Sequence, residues 1–312
     1  MADETRRAPM RNATQAYAAL EARFIEWVRA EDGIRAAVVI GSRARTGHPA
    51  DAWAYLDLVV IAHDPEPYLA RADWVDAVGR PVLTFVEPTG DGRSRERRVL
   101  FEGGLDVDFA FFPASLIEGM LTAGIPPDAA DAFRRGARVL VDKDGLAARV
   151  LTAAAQLPPW SPPPLSEEEF LEVVSDFWYH AVWTAKHLRR GELWWAKSGC
   201  DGHMKGLLRR MMEWHARAMN GPSHDTWMRG RFLEEWADPR AVAGLKGAFA
   251  HYDADDLWRA LAATMLFRWL AKETAVKLGF AYPAEADAAA TEIVALLRTG
   301  HSEDRASEAP TG

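Results

Sequence analysis

Gly41-Ser42-Arg43 follows the apolar run Ala36–Ile40, and Asp57 stands directly before a second apolar run, Leu58–Ala62. A glycine and a small hydroxyl residue leaving a strand let backbone N–H groups and an Oγ come close to a phosphate. A carboxylate on the neighbouring strand can hold the divalent cation that accompanies that phosphate. Nucleotide chemistry is one expectation from these residues; an ordinary strand turn with an edge aspartate is the plainer one. Further on, LDVDFAFF (Leu105–Phe112) places Asp106 and Asp108 on one strand face with Ala110 and Phe112. Two carboxylates so close raise one pKa unless a cation is near.

The elements that must position these groups are legible from periodicity. Ala36–Ile40 and Leu58–Ala62 are too short and too β-branched for helices and are expected as neighbouring strands, with Asp57 opening the second. Pro81–Val86 gives a third strand, and Arg97–Phe101 meets Leu105–Phe112 across the hairpin signal Glu102-Gly103-Gly104. Before them, Thr14 is expected to cap a helix with Leu20, Phe24, Trp27 and Val28 on one face, ended by Gly33. Tyr68–Gly79 and Asp128–Arg135 are expected as helices, and Val139–Val141 as a strand running into the turn Asp142–Gly145. Five prolines between Leu157 and Ser166 predict a stiff, extended linker. Beyond it the pattern is helical. A capping box of Ser166 and Glu169 opens a helix reaching about Arg190, and a second spans Glu192–Met219 with an interruption near Gly199. Asp253 and Asp256 open a long helix stopped by Gly279, and Pro283–Arg298 is the last. The expected fold is α+β with two domains: residues 1–156 with a mixed sheet, a linker at 157–166, a helical bundle at 167–300 and a disordered tail at 301–312.

Composition bounds the function. An apolar share of 49% with 26% charged residues describes a soluble globular chain, and no run reaches the ~18–20 apolar residues of a membrane span. The N-terminal MADETRRAPMRNATQ is polar and lacks a signal peptide's apolar core, so the cytoplasm is the expected location. Cys200 is the single cysteine, which excludes an intrachain disulfide and a cysteine metal cluster. A net charge of −8 argues against a nucleic-acid partner and suits a cationic small molecule, though acidity for solubility alone explains it equally. Nine of the thirteen tryptophans lie at or beyond Trp178, so the helical half has an aromatic core, an aromatic-lined pocket, or both.

The motifs IGSRA, DAWAYLDLVV, FEGGLDVDFAFFP and RVLVDKDG, then EFLEVVSDFWYHAVWTAKHLRRGELWWAK, LLRRMMEWHAR and DADDLWRALAATMLFRWLAKETAVKLGFAYP, occur in order over about residues 15–300. In them the chain resembles the aminoglycoside 6-adenylyltransferase (streptomycin adenylyltransferase-like) family of polymerase-beta-like nucleotidyltransferases. The resemblance implies an N-terminal nucleotidyltransferase domain followed by a helical substrate-binding domain. It implies transfer of AMP from ATP, with Mg²⁺, to a hydroxyl of an aminoglycoside-like cation of the streptomycin type, and hence a role in antibiotic resistance. By the same resemblance Gly41 and Ser42 hold the nucleotide phosphates with Arg43 as a helper. Asp57 matches the second acid of the family's Asp-x-Asp motif, and Asp108 the third acid, as metal ligand or general base. The first acid of that motif is replaced by Tyr55, and a phenol is a poor Mg²⁺ ligand at neutral pH. Asp51 and Asp106 are the nearby acids that could compensate. The alternative is a catalytically impaired or repurposed homologue that binds a nucleotide or small molecule.

In the helical domain Asp176, His180, Trp183 and His187 fall on one helix face. Asp176 matches an acidic position in the family's helix, as a base or a ligand for a cationic group; with His180 it offers two metal ligands at i, i+4 and no evident third. Lys186 matches a family lysine that reaches the triphosphate, and Lys197 is a second candidate. Trp178, Trp183, Trp194, Trp195 and Trp214 are either core or faces for sugars and cations. Asp253, Asp255 and Asp256 are expected as a helix N-terminus, and His203 and His215 have no evident partner. A monomer suits a cleft made by two domains of one chain.

Overall fold

The computed structural model describes residues 13–308, with side-chain surroundings for residues 13–299. The polar N-terminal stretch through Asn12 and residues 309–312 of the expected tail lie outside the described residues. The chain divides into two compact units, one ending at Trp160 and the other beginning at Ser161.

The first unit is built on a six-stranded sheet of β1 (Ile34–Ile40), β2 (Leu56–Ala62), β3 (Pro81–Pro88), β4 (Arg95–Phe101), β5 (Leu105–Pro113) and β6 (Ala137–Asp142). Its order is β3-β4-β5-β2-β1-β6. The β2–β5 pair is parallel, whereas β1–β2, β1–β6, β3–β4 and β4–β5 are antiparallel, so the sheet is mixed.

Strand alternation sorts the side chains into two cores. On one face Leu56, Leu58, Val60, Val107, Phe109 and Phe111 pack under α1 (Ala13–Ala30), where Phe24 meets Phe109 with ring centroids 5.4 Å apart. On the other, Ala36, Val38, Val59 and Ile61 pack with Ile117 of α4 (Ala114–Ala123) and with Leu146 and Val150 of α6 (Leu146–Gln156). By the period of two, Asp57 and Asp108 belong to this second face. The sequence reading did not anticipate α4 and α6, and α5 (Pro127–Arg135) lies between them.

Several boundaries differ for identifiable reasons. β2 opens at Leu56, so Asp57 is its second residue. Thr14 lies inside α1, which is already helical at Ala13. The single helix expected over Tyr68–Gly79 is two short ones, α2 (Glu66–Ala70) and α3 (Val75–Val78). The buried Arg97 causes this: its guanidinium donates to the carbonyls of Tyr68 and Leu69, the acceptors a continuing helix would need.

The second unit is helical: α7 (Glu167–Arg189), α8 (Leu193–Lys197), a π-helical segment Ser198–Met204, α9 (Lys205–Asn220), α10 (Leu233–Trp236), α11 (Pro239–Ala248), α12 (Ala254–Thr264), α13 (Phe267–Leu278) and α14 (Ala284–Glu308). Ser166 caps α7, its side chain accepting from the Glu169 N–H at 3.1 Å. The core stacks Phe177 on Phe267 with centroids 3.8 Å apart. The long helix expected from Asp253 to Gly279 is divided between α12 and α13. At the break Thr264 Oγ1 donates to the Ala260 carbonyl at 2.7 Å, a back-bond that bends helices. The last helix continues past Arg298 to Glu308. No described helix is long and apolar enough to cross a membrane.

Phe24 is fully buried between α1 and the sheet. Phe24→Ala is expected to cost about 3–5 kcal/mol, measured as a lowered urea midpoint.

Candidate functional site

In the first unit the acids sit where two strand pairings converge. Asp57 is opposite Ile40 across the antiparallel β1–β2 pair and level with Asp108 across the parallel β2–β5 pair. Parallel neighbours lie ~4.8 Å apart and point the same way, so both carboxylates leave one face side by side. β1 ends at Ile40 and turns through the 3₁₀ turn Gly41–Arg43. Gly41 has φ +74°, and a Cβ there would stand 2.6 Å from Asp57 Oδ2. Any side chain would be strained here: the turn demands the left-handed region, and the backbone rests on the carboxylate.

Ser42 follows, half-buried, with its carbonyl accepting from the Ala50 N–H at 2.9 Å. Arg43 is held at the turn by ring and carbonyl contacts. Its guanidinium lies 3.5 Å over the Tyr17 ring and donates to the carbonyls of Ala54 and Tyr55. It therefore braces the loop that returns to β2. Tyr17 Oη in turn donates to Asp106 Oδ1 at 3.0 Å and accepts from the Asp106 N–H at 3.2 Å. Burial and that neighbouring carboxylate push the Tyr17 phenol up to about 12.

The acids near Tyr55 and Asp108 each have a contact of their own. Asp106 is engaged by Tyr17. Asp51 is exposed and accepts from the Trp53 N–H at 2.9 Å in its own turn. The additional acid on this face is Glu96, which sequence reasoning missed. β4 pairs Glu96 with Ala110 and Arg98 with Asp108, while β3 brings Glu87 opposite Glu96. Arg98 ties them together, reaching Glu87 at 2.5 Å, Glu96 at 2.9 Å and Asp108 at 3.6 Å. The alternation of RERRVLF carried the signal, since Glu96, Arg98 and Asp108 share a face once the hairpin register is known. A cavity of about 200 Å³ opens on the same face, lined by Ile40, Val59, Ala110 and Phe112, with Glu96 at its edge.

Burial raises the Asp108 carboxyl to about 6, with Glu96, Asp106 and Glu87 adding and Arg98 opposing. Oxygen donors of this kind fit a hard cation such as Mg²⁺. The Gly41 cradle against Asp57 and the raised Asp108 both match a place where positive charge is to be added.

In the second unit Asp176, His180 and His203 come together. Asp176 Oδ1 lies 2.5 Å from His180 Nδ1 and 2.8 Å from His203 Nε2. His203, assigned no partner from the sequence, is thus part of a cluster with two residues on α7. His215 also has a partner, Glu273 at 2.9 Å. Lys186 is exposed on α7. Lys197 Nζ donates to Asp201 Oδ2 and the Ala250 carbonyl, each at 2.5 Å. Trp178 is core, whereas Trp194 and Trp195 are exposed, with Trp195 5.5 Å from Trp183. Asp253 caps α12 by accepting from the Asp256 N–H at 2.9 Å, and Arg259 with His251 holds the Asp256 carboxyl well below its usual range.

A family model described as streptomycin adenylyltransferase matches residues 10–296. Among solved structures, a crystal structure of an aminoglycoside 6-adenyltransferase from Bacillus subtilis is 18% identical, covering 88% of this chain and 96% of that chain with a TM-score of 0.43. A nucleotidyltransferase-like protein from Exiguobacterium sibiricum is 12% identical, covering 84% and 77%, with a TM-score of 0.32. Comparison with curated proteins gave no match.

An acid whose pKa rises on folding keeps its proton where the unfolded chain has lost it. Folding stability therefore falls as pH climbs from about 4 to about 6, and the loss is complete above that. In chelator-treated protein, Asp108→Asn is expected to flatten that slope and raise the melting temperature above pH 6. Melting temperature against pH for both proteins is the measurement.

Proposed function

The chain belongs to the streptomycin adenylyltransferase family, and on that premise we propose that it transfers AMP from ATP to a hydroxyl of a cationic, streptomycin-type acceptor. The observation that carries the reading is the pairing of Asp57 and Asp108 across β2–β5 with Gly41 packed against the Asp57 carboxylate. A family-length match supplies the reaction class; these residues supply the means.

Asp57 and Asp108 would hold the divalent cation, with Asp106 and Glu96 on the same face to either side of Asp108. Bound there, Mg²⁺ would neutralise the triphosphate and polarise the α-phosphoryl group. Gly41 and Ser42 bring backbone and hydroxyl to the phosphates at the end of β1. A ligand spanning the acids and the adjoining cavity would put its apolar part against Ile40, Val59 and Phe112. The acceptor oxygen forms a bond to the α-phosphorus, the bond from that phosphorus to the bridging oxygen breaks, and pyrophosphate leaves. Asp108 would serve as metal ligand or as general base for the hydroxyl proton, its value of about 6 being that of the metal-free chain. Lys186 remains assigned to the phosphates by resemblance. The exposed faces of Trp194 and Trp195 suit a cationic sugar.

A second reading, binding with slowed chemistry, rests on Tyr55 alone. Transfer of radiolabelled AMP to streptomycin separates the two. Asp57→Asn and Asp108→Asn are each expected to lower the rate by about 10²–10⁴-fold, and unchanged transfer would sink the assignment. Tyr55→Asp tests the missing acid: a large gain in rate marks the natural site as impaired, and no gain means that the site works without an acid at that position. Nucleotide binding by calorimetry without any turnover would favour the second reading.

A further inference from the structure

The Asp176 cluster is built for something other than an ion pair. α7 brings Asp176 and His180 together one turn apart, and His180 Nδ1 sits within 3.1 Å of the Asp176 carbonyl as well as on its carboxylate. His203 arrives from a different element, the last turn of the π-helical segment, and its ring lies 4.0 Å from that of His180. One potential ligand atom from each residue falls within 4.8 Å of the others. Among the described residues, Asp176 pairs with these two imidazoles and with no lysine or arginine.

We propose that Asp176, His180 and His203 form a binding site for a divalent transition ion of borderline softness, such as Zn²⁺, with at least one coordination position left to solvent. Carboxylate and imidazole donors ~2.0–2.2 Å from such an ion stand roughly 3–3.5 Å apart in a tetrahedral arrangement. The two carboxylate–imidazole spacings, 2.5 and 2.8 Å, need to open slightly and all three donors already lie within 4.8 Å, a change that side-chain rotation can make. The side chains of His180, Asp176 and His203 are 27%, 35% and 43% exposed, so an ion can enter and water can fill the remaining position. Two imidazoles select against Mg²⁺ and Ca²⁺, which distinguishes this donor set from the all-carboxylate face of the sheet.

The frame is firm enough to matter. A Cβ on Gly199 would stand 2.5 Å from Trp183 Cζ3 and 3.0 Å from Thr184 Oγ1, so the π-helical segment lies directly on α7. Lys205 Nζ secures its far end on Thr264 Oγ1 at 2.7 Å and the Cys200 carbonyl at 3.2 Å. Tyr179 sets its ring edge-on to His180 at 5.2 Å. Asp176 is then a metal ligand rather than a base. The site neither rests on the adenylyl-transfer reading nor fails with it.

The full-length chain, freed of any histidine tag and treated with chelator, is titrated with Zn²⁺ against a chromophoric chelator and with Co²⁺ by visible absorption. One equivalent is expected, with Co²⁺ d–d bands of low coordination number that excess Mg²⁺ does not displace. His203→Ala, at an exposed side chain, and His180→Ala should each weaken binding by at least about 10–100-fold. Far-UV circular dichroism of the metal-free variants checks that they fold, and His203→Ala decides alone if His180→Ala does not. The double variant Asp57→Asn/Asp108→Asn should bind Co²⁺ as the unaltered chain does. No stoichiometric uptake, uptake that survives His203→Ala, or uptake lost only in the Asp57/Asp108 double variant would overturn the proposal.

Discussion

The Gly41 backbone rests closely on the Asp57 carboxylate, and much of the sheet unit is arranged to allow it. β1 must end at Ile40 so that the chain can turn above the carboxylate. β2 must begin one residue before Asp57 so that Leu56 and Leu58 enter the core beneath α1 while Asp57 faces away from it. The intervening loop cannot be slack, and Arg43 supplies the tie by capping the carbonyls of Ala54 and Tyr55. Tyr17 passes the same constraint to Asp106, so α1, the loop and β5 meet at one polar seam.

The second constraint is charge. Four acids, Asp57, Asp108, Glu96 and Glu87, share a face, and Arg98 is the cation among them that contacts three. Repulsion and burial together lift Asp108 out of the ordinary carboxylate range. Such an arrangement costs stability in the resting protein. It is tolerable where a ligand is to contribute positive charge, and it would be wasteful on a face with only a structural role.

Legibility in the sequence followed the range of the interactions involved. The strands, the hairpin and α7 were visible because alternation, the glycine pair at Gly103-Gly104 and the Ser166 cap are local signals. α4 and α6 were missed, as short amphipathic stretches without strong caps. The split of α2 from α3 depends on Arg97, some thirty positions away, and no local pattern encodes it. The same holds for the sites. Asp57 and Asp108 could be paired through a resemblance that specifies register. Glu96 needed the β4–β5 register itself. His203 had no partner in the linear pattern because its partner is on another helix.

The π-helical segment between α8 and α9 has a further meaning. An α-helix advances ~100° per residue, and a π-turn accommodates one residue more than an α-turn does. The bearing of His203 on α7 is thus stored in residue count. Loss of a single residue between Ser198 and Met204 would let the run relax to a plain helix and swing everything on one side of it by about a quarter turn. Divergence at this spot would proceed by insertion and deletion, as a switch between two bearings, where point substitution elsewhere in the bundle changes it by degrees.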